Sequence, residues 1–433
     1  MPSPGDPLLF YSGAAMCLVV AGQAAIGAAG VWRSRLQRRL QSDADAEAFR
    51  IEVHAAAESA RARLARKLAW DGRRPLRVSA VVDETADVKS LFLTSPDARP
   101  LPRFIPGQYL TLSLPAGPGG NEVVRCYSLS DRPRPEYYRL SIRRQDAPPN
   151  PPDVPAGVAS CWLHRHARVG MTIECEAPKG AFFYNPGEPR PAVLIGAGVG
   201  VTPLVSMLEA VQHARINTPT YAFFGFRDGA SHLFADAVNA IAEANPLVRP
   251  HYAYSKPSEN DRLGVHYHSR GHVSLELLRR ELPSNNFDYY LCGPGRMMQT
   301  LVPELLDWGV PEDSIHFEAF GPASVTTKSG ASLIEKALGS PVCFGAGTTP
   351  IVWDGAKGSL LEMAEAAGVP IGAGCRAGNC GACRVRILDG KVNALRKPGV
   401  VLTSGECLAC ISLPEGPVVL DADAVPAKGG RNP

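Results

Sequence analysis

The sequence predicts a multidomain protein of mixed β and α/β class: an N-terminal transmembrane helix, an antiparallel β-barrel, a doubly wound α/β sheet and a small C-terminal unit. Three observations carry this reading. A run without charge occupies residues 7–32, short β-rich segments broken by Pro and Gly follow from residue 76, and strands alternate with helices from residue 191. The 433 residues suffice for about three domains. With 45% hydrophobic and 20% charged residues, the composition is that of an ordinary globular chain. The net charge of +3, with no basic stripe interleaved with aromatics, excludes nucleic acid as a partner.

The run PLLFYSGAAMCLVVAGQAAIGAAGVW exceeds the roughly 20 apolar residues that span a bilayer. Arg33, Arg35, Arg38 and Arg39 follow it at once. The positive-inside rule then makes residues 1–6 an outside tail and 7–32 a single span in the lipid bilayer, with everything downstream in the cytoplasm. A cleaved signal peptide is the rival reading. The basic residues lie on the wrong side for it, and the run is too long. Residues 33–75 read as a basic flank and stalk. Within them, 43–70 are Ala-rich, charged and free of Gly and Pro, as a solvated helix requires.

Segments 77–82, 88–94, 108–114, 123–130, 138–143 and 171–176 are short and β-rich, the spacing of a small antiparallel barrel over 76–189. From 190 to 322 the pattern changes. AVLIGAG reads as a buried strand, 202–214 as a helix, 220–226 as a strand and 230–244 as a helix. Strands over 248–255, 287–292 and 315–320, with a helix over 297–308, complete a doubly wound sheet. Residues 323–340 read as a polar linker, and 341–433 as a last domain with its tail.

That last domain carries Cys375-Arg-Ala-Gly-Asn-Cys380-Gly-Ala-Cys383, then Cys410 much later. This is the C-x4-C-x2-C…C spacing of plant-type [2Fe–2S] clusters. Two irons need four thiolates. The small residues of the loop let its backbone approach the sulfides and donate N–H bonds to them. A four-cysteine zinc site usually pairs two C-x2-C knuckles, which the C-x4-C arm does not provide. Cys343 and Cys407 are left over and read as small buried apolar residues. The cysteine pattern favours a reducing compartment over a disulfide framework. In the segment 191–214, Gly196-Ala-Gly198-Val-Gly200-Val-Thr202-Pro203 follows a buried strand and opens a helix. Thr202 suits the N-cap, Pro203 suits the first helical position, and the glycines admit a pyrophosphate to the helix N-terminus. On spacing alone, a structural turn accounts for it equally well.

Residues 341–422 resemble the plant-type ferredoxin family, with SLLEMAEAAGVPI and GECLACISLP at its helix and closing strand. The resemblance implies a β-grasp fold. Its L-x-C-I-S-x-P pattern selects Cys410 over Cys407 as the fourth iron ligand, beside Cys375, Cys380 and Cys383. Residues 76–322 resemble the ferredoxin–NADP reductase superfamily. The matching segments are Gly107-Gln108-Tyr109, Arg125-Cys126-Tyr127-Ser128, Gly157 to His164, the Gly196–Pro203 loop, Cys292-Gly293-Pro294 and Phe317 to Pro322. The resemblance implies that Arg125 holds a flavin phosphate, Tyr127 flanks the isoalloxazine and Ser128 hydrogen-bonds near N5. Gly157 and Ser160 open a phosphate-binding helix. Gly196, Gly198, Gly200, Thr202, Gly293 and Pro294 form the nicotinamide loops, and Cys292 faces the nicotinamide C4. The Phe317–Pro322 segment, with Phe320, covers the flavin. Ser128, Cys292 and Glu318 are the catalytic set.

Residues 252–322 look most like the reductase half of flavohaemoglobins. The domain order, ferredoxin last, is that of the phthalate dioxygenase reductase and phenylacetyl-CoA epoxidase reductase families. The expected cofactors are therefore FAD, with FMN the alternative, a [2Fe–2S] cluster, and NADH or NADPH. Arg227 and Lys256 sit where the 2′-phosphate of NADPH is expected, though as solvated surface charges they mean nothing. The expected activity is a membrane-anchored NAD(P)H-dependent reductase that passes electrons through flavin and cluster to a membrane-bound or membrane-associated oxygenase, desaturase or hydroxylase. The alternatives are a nitric oxide dioxygenase-related reductase and a membrane redox sensor.

Overall fold

In the computed structural model, the alternation of apolar and polar residues from Arg73 onward produces a rolled antiparallel sheet. Its strands are β1 (Arg73–Thr85), β2 (Val88–Thr94), β3 (Tyr109–Leu114), β4 (Val123–Ser128), β5 (Tyr138–Arg143) and β6 (Thr172–Glu176). They pair in the order β4-β3-β6-β1-β2-β5. Leu129 then bridges Leu140, so the first and last strands meet and the sheet closes. Closure removes the edges that an open sheet would expose. Leu76, Val78, Leu91, Leu110, Leu112 and Leu140 fill the interior. Helix α1 (Val158–His166) lies between β5 and β6 in the chain.

The structure describes residues 68, 70–147, 156–185, 190–320, 328–355, 358–374, 376, 378, 381–395, 398 and 400–421, with isolated residues between 16 and 49. It divides into two units, Met1–Lys67 and Leu68–Pro433. In the first, Met16, Gln23, Gly27, Gly30, Trp32, Arg33, Gln41 and Phe49 are helical and exposed. The membrane span expected over 7–32 is corrected here. Among the described residues no helix is long and apolar enough to cross a membrane. The single-pass placement, with the N-terminus outside and a bilayer as partner, is withdrawn with it. Length and lack of charge suggested a span, but Ala and Gly fill much of the run and Gln23 sits near its middle, so each turn offers little apolar area. Most of 7–32 and of the expected stalk lies outside the described residues.

The second sheet is parallel throughout. Its strands are β7 (Ala192–Ala197), β8 (Thr220–Phe226), β9 (Val248–Tyr254), β10 (Ser269–Arg270), β11 (Asp288–Pro294) and β12 (Ile315–Phe320), in the order β10-β9-β8-β7-β11-β12. Helices α2 (Val201–His213), α3 (Ala235–Ala244), α4 (Leu275–Glu281) and α5 (Gly295–Asp307) connect them. Both faces are covered, which is why the strands read as nearly continuous apolar runs. Leu194, Phe224 and Cys292 enter one core, while Val193, Ile195 and Phe223 enter the other.

The expected linker contains a helix, α6 (Lys328–Ala337), whose last residue is buried in the C-terminal core. That core belongs to a third sheet: β13 (Pro341–Phe344), β14 (Ile351–Val352), β15 (Arg384–Ala394), β16 (Glu406–Leu408) and β17 (Ser412–Asp421), ordered β14-β13-β17-β15-β16. Among its described residues only β13 and β17 pair in parallel. Helix α7 (Leu360–Ala366) packs on it. Its start is fixed by a capping box: the Glu362 N–H donates to Ser359 Oγ at 3.4 Å, and the Ser359 N–H to Glu362 Oε2 at 2.8 Å.

Candidate functional site

Two loops meet at the carboxyl ends of β7 and β11, neighbours at the point where the strand order reverses. Ligands of open α/β sheets bind in the crevice at such a point. Gly196 ends the buried part of β7, Gly198 (φ +54°) turns the chain, and Gly200 caps α2. A Cβ on Gly200 would lie 2.3 Å from the Cys292 carbonyl oxygen and 2.5 Å from Gly293 Cα. The two loops are therefore pressed together, backbone to backbone. Gly200→Ala is expected to cost about 1–3 kcal/mol of stability through this overlap. A lowered thermal midpoint, with weakened NAD(P)H binding in titration, is the check.

The expected cap is corrected by two residues. Gly200 is the N-cap of α2, and Thr202 lies inside the first turn with its hydroxyl donating to the Val199 carbonyl at 2.9 Å. A single 3-10 turn over Gly198–Gly200 lets the helix start early. Pro203 is tolerated because first-turn N–H groups have no helical partner. Pro294 is exposed and forms the extended N-cap of α5.

The catalytic set expected from resemblance is brought together. Cys292 pairs in register with Gly196 on one side and Glu318 on the other. It is fully buried, and burial, then the nearby Glu318 charge, pushes its thiol well up. Glu318 is 5% exposed and accepts a 3.5 Å hydrogen bond from Ser128 Oγ at the end of β4. A barrel hydroxyl and a sheet carboxylate 190 residues apart thus touch, a link that no local pattern reveals. Phe320 lies opposite Pro294 at the end of the same strand pair. Arg125 and Tyr127 are half-buried on β4, on the same side of the strand as alternation requires. Burial raises the Tyr127 phenol, so it stays neutral.

Gly157 caps α1, but Ser160 is engaged. Its hydroxyl donates to the Gly157 carbonyl at 3.2 Å and accepts from the Gln145 N–H at 3.2 Å. A hydroxyl has one proton, so an anion here would meet helix N–H groups before it met Ser160. The start of the helix was legible in the sequence, but the occupation of the serine was not.

Of the four expected iron ligands, Cys375 and Cys380 lie outside the described residues. Cys383 and Cys410 are buried in the C-terminal domain. The Gly378 N–H points at Cys410 Sγ, 3.3 Å away. Gly378 adopts φ +79°, and a Cβ there would meet Ile411 at 2.6 Å. An amide aimed at a cysteine sulfur from a glycine loop is the arrangement that iron–sulfur thiolates require, so the residues present fit a cluster. Cys410 sits in a 3-10 turn, Ala409–Ile411, and not on the extended strand expected for it. The strand breaks after Leu408, where the Ala409 N–H turns to the Cys383 carbonyl at 2.9 Å.

One polar cluster escaped the sequence reading altogether. Asp131 and Glu209 both accept from the Arg132 backbone N–H, at 2.7 and 2.8 Å, beside a cavity of about 420 Å³ between the barrel and α2. Arg134 (2.7 Å) and the Tyr137 hydroxyl (2.8 Å) hold Asp131, and Arg139 (3.2 Å) holds Glu209. Burial, the hydrogen bond with Asp131 and that group's charge push Glu209 up to about 8. Burial opposes the charge on Asp131, but the Glu209 hydrogen bond, Arg139, Tyr137 and Arg134 outweigh it and lower its pKa. The pair as a whole therefore holds a proton above the ordinary carboxylate range. A raised folded pKa gives stability that is full below the ordinary carboxylate range and is lost as pH rises through about 8. The Asp131 contribution runs the other way, present above its ordinary value and lost as pH falls. Thermal midpoints should therefore fall as pH rises from the ordinary carboxylate range to about 8 in the unaltered chain, and less steeply in Glu209→Gln.

Comparison with known proteins supplies the family. The oxidoreductase FAD-binding domain profile matches residues 75–184 and the oxidoreductase NAD-binding domain profile matches 194–302. The 2Fe-2S iron-sulfur cluster binding domain profile matches 348–415. The chain belongs to the ferredoxin–NADP reductase superfamily. It carries an oxidoreductase FAD-binding domain, an oxidoreductase NAD-binding domain and a [2Fe–2S] domain in series. This reductase is 37% identical over 252 residues to a flavohemoprotein of Chromobacterium violaceum, covering 58% of this chain and 61% of that protein. It thus spans about three-fifths of the length of the curated relatives it matches. The flavohem-like FAD/NAD binding domain of nitric oxide dioxygenase from Vibrio cholerae aligns at 32% identity and TM-score 0.50, covering 57% of this chain and 99% of that one. An intact type IV self-sufficient cytochrome P450 monooxygenase shares the fold at 22% identity and TM-score 0.52, over 80% of this chain and 41% of that one.

Proposed function

We propose that this NAD(P)H-dependent reductase delivers single electrons from its C-terminal domain to a separate oxygenase, desaturase or hydroxylase. The observation that carries this reading is the Gly378 amide directed at Cys410, a one-electron exit built onto a unit made for two-electron hydride chemistry. When bound, the flavin supplies the conversion of hydride into single electrons and the cluster supplies their exit. The chain's own residues bind and orient. In this reading Arg125 and the α1 N-terminus hold flavin phosphate, and Tyr127 flanks the ring. Ser128, whose hydroxyl donates to Glu318 in this structure, would turn its one proton to N5. The Gly200 and Gly293 backbones shape the nicotinamide crevice, and Cys292, neutral and buried, walls it against water. Cys375, Cys380, Cys383 and Cys410 hold the irons.

A chain truncated after residue 322 should still reduce ferricyanide with NAD(P)H, since that acceptor takes electrons from flavin. It should lose most cytochrome c reduction. Equal cytochrome c rates with and without the C-terminal domain would take the cluster off the path. The flavohemoprotein relatives favour a second reading, a nitric oxide dioxygenase-related reductase. A haem Soret band in the purified protein is its test.

A further inference from the structure

Arg125 contacts both halves of the electron path. Its Nη1 donates to the Val124 carbonyl at 2.8 Å and to the Ala373 carbonyl at 3.5 Å, across 248 residues of sequence. Ala373 lies two residues before Cys375. Its neighbour Gly372 is pressed on the cysteine loop: a Cβ there would lie 2.5 Å from the Ala382 carbonyl oxygen, next to Cys383. The carbonyl that Arg125 reaches is therefore seated against the loop that carries the cysteines.

A guanidinium has five N–H groups in a planar fork. The two on Nη1 are spent on the two carbonyls. Those on Nε and Nη2 have no partner among the described residues, and together they form one edge able to take two phosphate oxygens at once. We propose that Arg125 is a two-sided positioning residue, with Nη1 holding the cysteine loop through Ala373 and the Nε/Nη2 edge taking a flavin phosphate. Flavin binding and docking of the C-terminal domain then favour each other. Linkage requires the effect to be mutual: whatever factor docking adds to flavin affinity, flavin adds to docking. This rests on the electron path proposed above. Lys cannot replace Arg here, because one ammonium cannot serve two opposed edges.

Two measurements on the full chain test it. The first is amide hydrogen exchange in flavin-free protein, where loss of flavin cannot confuse the result. In Arg125→Gln the segment 371–378 should exchange about tenfold faster than in the unaltered chain, by the free energy of roughly one charged hydrogen bond, while β15 and β17 stay unchanged. The second is FAD affinity in Gly372→Ala, a change in the C-terminal domain that displaces the Ala373 carbonyl. Its dissociation constant should rise severalfold although no flavin contact is altered. Unchanged exchange in the first, or unchanged FAD affinity in the second, overturns the proposal. An unaltered chain that binds FAD but never reduces cytochrome c with NAD(P)H would instead sink the electron path, and the exchange result would still decide the Arg125 contact.

Discussion

The Ser128→Ala chain is expected to keep its flavin and to bleach it with NAD(P)H roughly a hundred- to a thousandfold more slowly, the range for removing one donor at a centre that gains charge. Ser128 is 6% exposed and ends β4, so the backbone that holds the flavin is undisturbed by loss of one oxygen. The hydroxyl also donates to Glu318 at 3.5 Å. A hydroxyl has one proton, so to donate at the flavin it must turn away from this carboxylate, and its loss removes whichever of the two it serves. The two effects separate by a second variant. Glu318→Gln keeps the shape of the carboxylate and removes its charge. If it slows bleaching as much as Ser128→Ala does, the charge is the common cause. If only Ser128→Ala is slow, the hydroxyl acts on the flavin itself. Anaerobic stopped-flow absorbance gives both rates, and an unchanged rate in Ser128→Ala removes the residue from the mechanism.

Cys410→Ser is expected to abolish the visible and EPR signals of the cluster, with cytochrome c reduction falling to background. Cys407→Ser should leave both in place. The two cysteines are three residues apart and equally buried, so burial cannot choose between them. Geometry does. The Gly378 N–H is 3.3 Å from the Cys410 sulfur, and the turn Ala409–Ile411 presents that residue to the loop. Cys407 is on β16 opposite Val385, within the hydrophobic core of the domain. A serine at 407 therefore alters packing, while a serine at 410 removes a thiolate. The reverse outcome would move the fourth ligand to Cys407.

What the sequence revealed follows from where the information lies. The barrel and the parallel sheet were legible because their periodicities are local: alternation along β1–β6, and apolar runs such as AVLIGAG wherever both faces are covered. The cysteine spacing stands out in the sequence because three of the expected ligands fall between residues 375 and 383. The start of α2 was misread because Thr-Pro is a strong local cap signal, while the 3-10 turn over Gly198–Gly200 that starts the helix early has no such signature. The run 7–32 misled because length and absence of charge were read without the apolar area each turn supplies. The Asp131–Glu209 pair left no sequence signal, since its members come from a barrel loop and a helix of the next domain, and each alone looks like a surface carboxylate.

Among the described residues the apolar interior is not one mass but four, one inside the barrel, one on each face of the parallel sheet, and one around Trp353 in the C-terminal domain. A chain whose interior is partitioned in this way does not melt as one cooperative body. The two cores on the faces of the parallel sheet share its strands and open together, while the barrel and the C-terminal domain can each open at their own free energy, so a midpoint is read for each transition. In a calorimeter, loss of iron should shift one endotherm and leave the heat absorbed by the barrel and the parallel sheet nearly where it was. A purified sample can thus be folded, yellow and able to oxidise NAD(P)H while its last domain has already come apart.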